Sequence, residues 1–321
     1  ESLNSALGMK SLFRIALAII SFIVAAELFA RFAIGFGSPP LLMEHETIDY
    51  MFRPNQDVRT FHNRVLINQY GMRSPRFEST SADRVILVFG DSVLNGGSGT
   101  DHSELATSIV ASEMSNAFRN VFVGNVSAGS WGPGNFVAWI NEFGLMDADT
   151  VVLVLSSHDL DDQPTFRPLN PVTHPTRRPS SAIIEIVRRY LPRILPSAIG
   201  SKLKRKTQPR NVKKSAIRTA KSDLNYILDM AAEQNIGVCV VQHQTQPEIT
   251  SARDPAFVEI TRIFESRSVP TRDMGEAFKS DSDPDRFYRD YIHINPLGQV
   301  VLASEISWCI GQSTIPSLTR D

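Results

Sequence analysis

The feature that most constrains this chain is a regular exchange between short apolar runs and segments of helical spacing. Arg84–Phe89 reads as an apolar strand with a sharp turn after it. Val121–Val126, Val151–Leu155, Ile236–Val241 and Val269–Asp273 supply further strand candidates. Val151–Leu155 is apolar at every position, as a strand covered on both faces must be. Between these runs, Ser103–Ala117, Asn135–Phe143, Ser215–Gln234 and Phe257–Ser266 carry helical periodicity. Leu297–Ile310 forms a closing helix started by Asn295-Pro296. This alternation predicts a three-layer α/β/α domain around a mainly parallel sheet. Ligands of such sheets bind beyond the carboxyl ends of the strands. The residues standing there are Asp91-Ser92, Ser127–Gly129, Ser157–Asp159 and Gln242-His243.

The N-terminus follows a different rule. From Ile15 to Ala26 every residue but Ser21 is apolar, and Lys10 and Arg14 precede the run. Leu12 to Phe36 is long enough to cross a hydrocarbon core of roughly 30 Å. Glu27 and Arg31 interrupt it at i,i+4 spacing, where they can pair or reach the interface. Three readings stay open: a retained signal-anchor, a signal peptide cleaved near Val24-Ala25-Ala26, and a buried core helix. The retained anchor is the expectation carried forward, single-pass, with the basic residues inside and the remainder extracytoplasmic. Met9 is a candidate start, which makes Glu1–Gly8 an upstream remnant. The expected organisation is a tail over 1–11, a transmembrane helix over 12–37, a membrane-proximal segment over 38–80 and a main domain over 81–315.

One stretch breaks the alternation. Residues 163–218 hold fourteen Lys or Arg and a single acid, Glu185, although the whole chain carries a net charge of −1. Ile183, Ile184, Ile186, Val187, Tyr190, Leu191 and Ile194 can line one helix face there, flanked by Arg188, Arg189 and Arg193. Three roles remain open: a solvated insertion, a helix lying on anionic lipid, and a lid that attracts an anionic substrate. Nucleic acid is not an expected partner, because the segment matches no nucleic-acid-binding motif. The two cysteines make no disulfide framework, and Cys239 lies in an apolar run where a buried thiol is expected. No Cys/His cluster has zinc-ligand spacing, so no metal is expected.

Two short motifs carry the chemistry. Gly90-Asp91-Ser92 follows the first apolar strand, and Asp290-Tyr291-Ile292-His293 lies near the C-terminus. They supply a serine, a histidine to take its proton and a carboxylate to orient the histidine. With Val88-Phe89-Gly90-Asp91-Ser92, Asn125-Val126-Ser127-Ala128-Gly129 and Asp290 through Gly298, residues 81–312 resemble the SGNH, or GDSL-type, hydrolases. The resemblance implies a flavodoxin-like five-stranded sheet and a triad of Ser92, His293 and Asp290. It also implies an oxyanion hole from the Ser92 and Gly129 backbone N–H groups, and no cofactor. A third block, Leu155-Ser156-Ser157-His158-Asp159, departs from the family's Gly-x-Asn-Asp: Ser156 replaces Gly, and His158 replaces the Asn that donates to the oxyanion. For His158 three roles stay open: the third donor, a brace for Asp159 or a nearby loop, or an alternative base. Asn135 is a second candidate donor. Asp91 is expected to brace the turn around Ser92, and His102 and His243 are expected to be incidental.

The function implied is that of an extracytoplasmic serine esterase acting on ester-linked acyl groups, acetyl foremost, of an envelope glycan or lipid. Two alternatives use the same residues differently: a polysaccharide O-acetyltransferase, and a non-catalytic glycan-binding module of an assembly complex. The expected partners are the acylated carbohydrate or lipid, and the membrane through residues 12–37 and the basic insertion 163–218.

Overall fold

The computed structural model describes residues 2–78, 82–191, 214–251 and 253–317. The basic segment over 192–213, including Arg193 and Ile194, therefore lies outside the described residues. A long helix, α1 (Ser2–Leu28), continues as a π-helical turn over Phe29–Ile34 and ends at Gly35, whose φ of 89° lies in the left-handed region. Its stretch Ser11–Ile34 has a mean hydropathy of 2.2 over its most apolar window, and none of that window is buried. Two antiparallel hairpins follow, β1 (Leu42–His45) with β2 (Asp49–Phe52), and β3 (Gln56–Thr60) with β4 (Asn63–Ile67).

The main domain is a three-layer α/β/α sandwich. Its sheet comprises β5 (Arg84–Gly90), β6 (Val121–Ser127), β7 (Thr150–Ser156), β8 (Gly237–His243) and β9 (Thr271–Asp273). The spatial order is β6-β5-β7-β8-β9, and every neighbouring pair is parallel. The order reverses at β5, which puts the switch point at the end of that strand. Register carries this into the site: Gly90 pairs with Ser127, and Ser156 with His243, so four strand ends finish side by side.

The two faces of the sheet bury alternate side chains, as the two-residue period of a strand demands. Leu87, Phe89, Val151, Leu153, Val238 and Val240 pack into one core, and Ile86, Val88, Val152, Val154 and Val241 into the other. The first face is covered by α4 (Pro133–Phe143), α6 (Lys214–Glu233), α8 (Pro255–Glu265) and both hairpins. The second is covered by α2 (Ser92–Asn95), α3 (Ala106–Met114), α9 (Met274–Lys279) and α10 (Pro296–Gln312). Each fully buried Leu, Ile, Val or Phe contributes about 1.5–3 kcal/mol of transfer free energy.

Two boundaries differ from expectation for local reasons. Helix α3 starts at Ala106 rather than Ser103, because Asp101 and Glu104 close a reciprocal capping box that holds His102–Glu104 in a 3-10 turn. Strand β9 starts at Thr271 rather than Val269, because Pro270 has no N–H for the ladder and Val269 donates to Phe264 instead. The free thiol expected at Cys239 is also corrected. Cys239 on β8 is bonded to Cys309 on α10, with Cα atoms 5.4 Å apart across 70 residues of sequence.

Closing a loop of that length removes roughly 4 kcal/mol of denatured-state entropy. The Cys239→Ala/Cys309→Ala variant should therefore lose up to about 4 kcal/mol of unfolding free energy, measured by urea titration. In the unfolded wild type, alkylation should label neither cysteine before reduction and both after it.

Candidate active site

Strand β5 ends in a turn too tight for a side chain at Gly90. A Cβ there would stand 2.8 Å from the Cβ of Leu94 and 3.3 Å from the Val154 carbonyl oxygen. Asp91 then caps α2: its Oδ1 accepts the Val93 N–H at 2.8 Å. Ser92 is the first residue of that helix, placed at the strand end by this turn.

Asp290, Ile292 and His293 form a compact loop just before α10. Asn295 caps α10 through the Leu297 and Gly298 amides at 2.9 and 3.2 Å. The Asp290 carboxylate accepts the amides of Ile292 and His293 at 3.0 and 2.8 Å. It also accepts from His293 Nδ1 at 2.8 Å, and His293 Nε2 stands 3.0 Å from Ser92 Oγ. Burial opposes ionisation of Asp290, but the hydrogen bonds from the His293 and Ile292 amides and the His293 ring outweigh it and hold its pKa below the usual range. A charged Asp290 on Nδ1–H leaves Nε2 free to accept the Ser92 proton.

A second, buried cluster lies beneath the serine. His158 Nε2 donates to Asp91 Oδ2 at 3.0 Å, and its Nδ1 lies 2.8 Å from Ser156 Oγ. Asp159 accepts the Ser156 amide at 2.6 Å and the Ser156 hydroxyl at 3.2 Å. Burial works against charge on His158, but Asp159, Asp91 and Asp162 overcome it and raise its pKa to about 9. Burial and the Asp91 charge push Asp159 up, whereas Asp91 itself, bonded to His158, is held below its ordinary value. Asp91, His158 and Asp159 bring one potential ligand atom each within 4.8 Å of one another.

The other expected residues divide. Gly129 borders the same cavity as Ser92, with nothing within 4 Å of where a Cβ would stand. Asn135 is turned away: its Oδ1 accepts the Gly132 amide at 3.0 Å, and its Nδ2 donates to the Ile48 carbonyl at 2.7 Å. His158 has both ring nitrogens engaged within its cluster. His243, expected to be incidental, is fully buried and donates through Nε2 to the Ile292 carbonyl at 2.9 Å, bracing the Asp290–His293 loop. Burial lowers its pKa to about 4, so it stays neutral.

Several contributors carry no sequence signal. Tyr50 on β2 donates its hydroxyl to the Gly129 carbonyl. Buried Arg73 clamps the loop after the serine by donating to the carbonyls of Asn95, Gly97 and Thr100. Gln299 on α10 donates to the Val93 carbonyl at 2.9 Å. A cavity of about 180 Å³ beside Ser92 is walled by Leu42 and Phe52 from the first hairpin and by His174 and Arg189 from the insertion.

No family model matches the chain, and no curated protein matches it. Among solved structures it is similar to an alpha/beta hydrolase enzyme from the metagenome of Lake Arreo, Spain (14% identity, covering 72% of this chain and 98% of that one, TM-score 0.46). It is also similar to the acetylxylan esterase Axe2 from Geobacillus stearothermophilus (13% identity, 72% and 95% covered, TM-score 0.46). A third is a two-domain esterase active on acetylated mannans (14% identity, 73% and 50% covered, TM-score 0.47).

The buried cluster sets a pH dependence. His158 is raised from 6.5 to about 9, so the folded state binds the extra proton between those values and stability falls as pH rises through that window. Asp159, raised to about 8, acts in the same direction. Urea midpoints of the wild type should drop from pH 6.5 to pH 9, by an amount worth on the order of 3 kcal/mol, and His158→Asn should flatten the slope. An unchanged slope in the variant would show that His158 does not hold the proton.

Proposed function

We propose that this chain is a serine esterase of the SGNH type, acting outside the cytoplasmic membrane on ester-linked acyl groups. The observation that carries the reading is the line Asp290–His293–Ser92, with hydrogen bonds of 2.8 and 3.0 Å, at the switch point of the sheet. Ser92 Oγ attacks the ester carbonyl as its proton passes to His293 Nε2. The imidazolium, held by Asp290, returns that proton to the leaving alcohol, and the acyl group remains on Ser92. Water, deprotonated by the same nitrogen, then releases the acid and restores the serine.

The amides of Ser92 and Gly129 are the oxyanion donors in this reading, each worth about 3 kcal/mol in the barrier. His158 is a positioning residue: it fixes Asp91, which caps the helix that begins at Ser92. Two features support an extracytoplasmic site. The apolar run follows Lys10 and Arg14. The Cys239–Cys309 bond suits an oxidising compartment. The small cavity beside Ser92 favours a short acyl group such as acetyl.

A fluorophosphonate probe should label the wild type and leave Ser92→Ala unlabelled. On p-nitrophenyl acetate, Ser92→Ala should lose at least about 10⁴-fold in kcat/KM. A wild type that neither takes the probe nor cleaves the ester would leave the fold as a binding module only.

A further inference from the structure

Residues 182–191 form a continuous helical stretch, α5 (Ala182–Glu185) followed by a π-helical turn over Ile186–Tyr190. Part of its apolar surface is turned outward. Ala182 and Glu185 face inward and are buried, whereas Ile184, Val187 and Leu191 are 40%, 50% and 38% exposed. These three sit at i, i+3 and i+7, on one side, with Arg188 beside them.

This stretch is fastened to the end of the apolar helix. The Glu27 carboxylate accepts the Ser181 hydroxyl at 2.7 Å and the amides of Ala182 and Ile183 at 2.9 and 3.1 Å. Arg31 donates to the same carboxylate at 2.8 Å. Just past the helix, Gly37 donates its amide to Glu185 at 2.6 Å, and Phe36 packs edge-on against Tyr190 with centroids 5.1 Å apart. The depth of 182–191 is thus tied to the last turns of α1. Where α1 crosses a bilayer, those turns lie at its surface, and Phe29 and Phe32 in them are exposed, as are Ile184, Val187 and Leu191 of the stretch fastened beside them.

The cavity beside Ser92 is built from the neighbours of this junction. Pro40 and Leu42 follow α1 directly, and Arg189 belongs to the stretch itself, held by Glu185 at 2.7 Å and donating to the Val172 carbonyl at 2.8 Å. We propose that residues 182–191 lie in the membrane interface beside α1, so that the Ser92 cavity opens at the bilayer surface and takes its ester from a lipid. The interface placement stands on the junction geometry, and the substrate class rests on the esterase reading. A helix with an outward apolar side and flanking arginines is the form that settles in the headgroup region.

Both parts are tested with the full chain in phosphatidylcholine vesicles. In Val187→Trp, the emission added over wild type should shift to the blue and be quenched by at least about half when brominated phosphatidylcholine is included. Unquenched emission overturns the interface placement, whatever the activity. In Ile184→Glu/Val187→Glu, hydrolysis of the acetyl ester of a long-chain alcohol dissolved in the vesicles should fall at least about tenfold, while hydrolysis of aqueous p-nitrophenyl acetate stays within about twofold. Equal rates on the vesicle ester, or parallel loss on both, overturn the lipid-borne substrate. A wild type active on p-nitrophenyl acetate alone also overturns the lipid-borne substrate; one inactive on both esters sinks the esterase reading instead, and the quenching result still decides the placement.

Discussion

Everything at the carboxyl edge of the sheet hangs on Asp91. It is buried at the end of β5, where the strand order reverses, caps the helix that opens with Ser92, and has its second oxygen on His158. An unpaired buried carboxylate would cost several kcal/mol, so the imidazolium beneath it is what makes this capping residue tolerable. Burial and the Asp91 charge raise the pKa of Asp159 beside it, so the second carboxylate of the cluster holds its charge less readily than the first. The turn at Gly90 could close without this arrangement, but the direction in which Ser92 projects could not be held.

The hairpins before the domain are part of the site rather than a tether. Ile48, Tyr50, Met51 and Phe52 are buried in the same core as the first face of the sheet. Tyr50 reaches the Gly129 carbonyl, Asn135 is occupied by the Ile48 carbonyl, and the Trp131 indole donates to the Tyr50 carbonyl at 2.9 Å. Burial first, then nearby Asp49, Asp162 and Asp91, drive the Tyr50 hydroxyl well above its ordinary pKa, so it remains a donor. The segment that leaves the apolar helix therefore shapes the loop that carries Gly129, and ties that helix to the sheet edge.

The parallel sheet was readable in the sequence because strands buried on both faces leave long apolar runs, as in Val151–Leu155, whereas the flavodoxin-like arrangement of its strands was implied only by the resemblance. The Gly90-Asp91-Ser92 turn and the Asp290–His293 loop were readable because each is local: turn, cap and spacing all fall within a few residues. What could not be read was long-range. Cys239 and Cys309 meet only because β8 and α10 pack together, and no spacing rule encodes that. His158 stood in a motif, but whether its ring faced solvent or Asp91 depended on a contact 67 residues away. Arg73 and Tyr50 act on carbonyl oxygens, which leave no mark on composition at all.

The loop carrying His293 shows why these distant contacts matter. Its backbone is short and partly exposed, and local hydrogen bonds to Asp290 alone would leave it free to swing as a unit. Three long-range restraints oppose this. His243, at the end of β8, donates to the Ile292 carbonyl at 2.9 Å from a fully buried position. Tyr288 donates to the Gln244 carbonyl at 2.6 Å, on the same strand extension. The Cys239–Cys309 bond then ties the middle of β8 to α10, whose N-cap, Asn295, lies two residues beyond His293. Strand and helix grip the loop from both sides, so the 3.0 Å approach of His293 to Ser92 is set by the packing of the whole second face of the sheet.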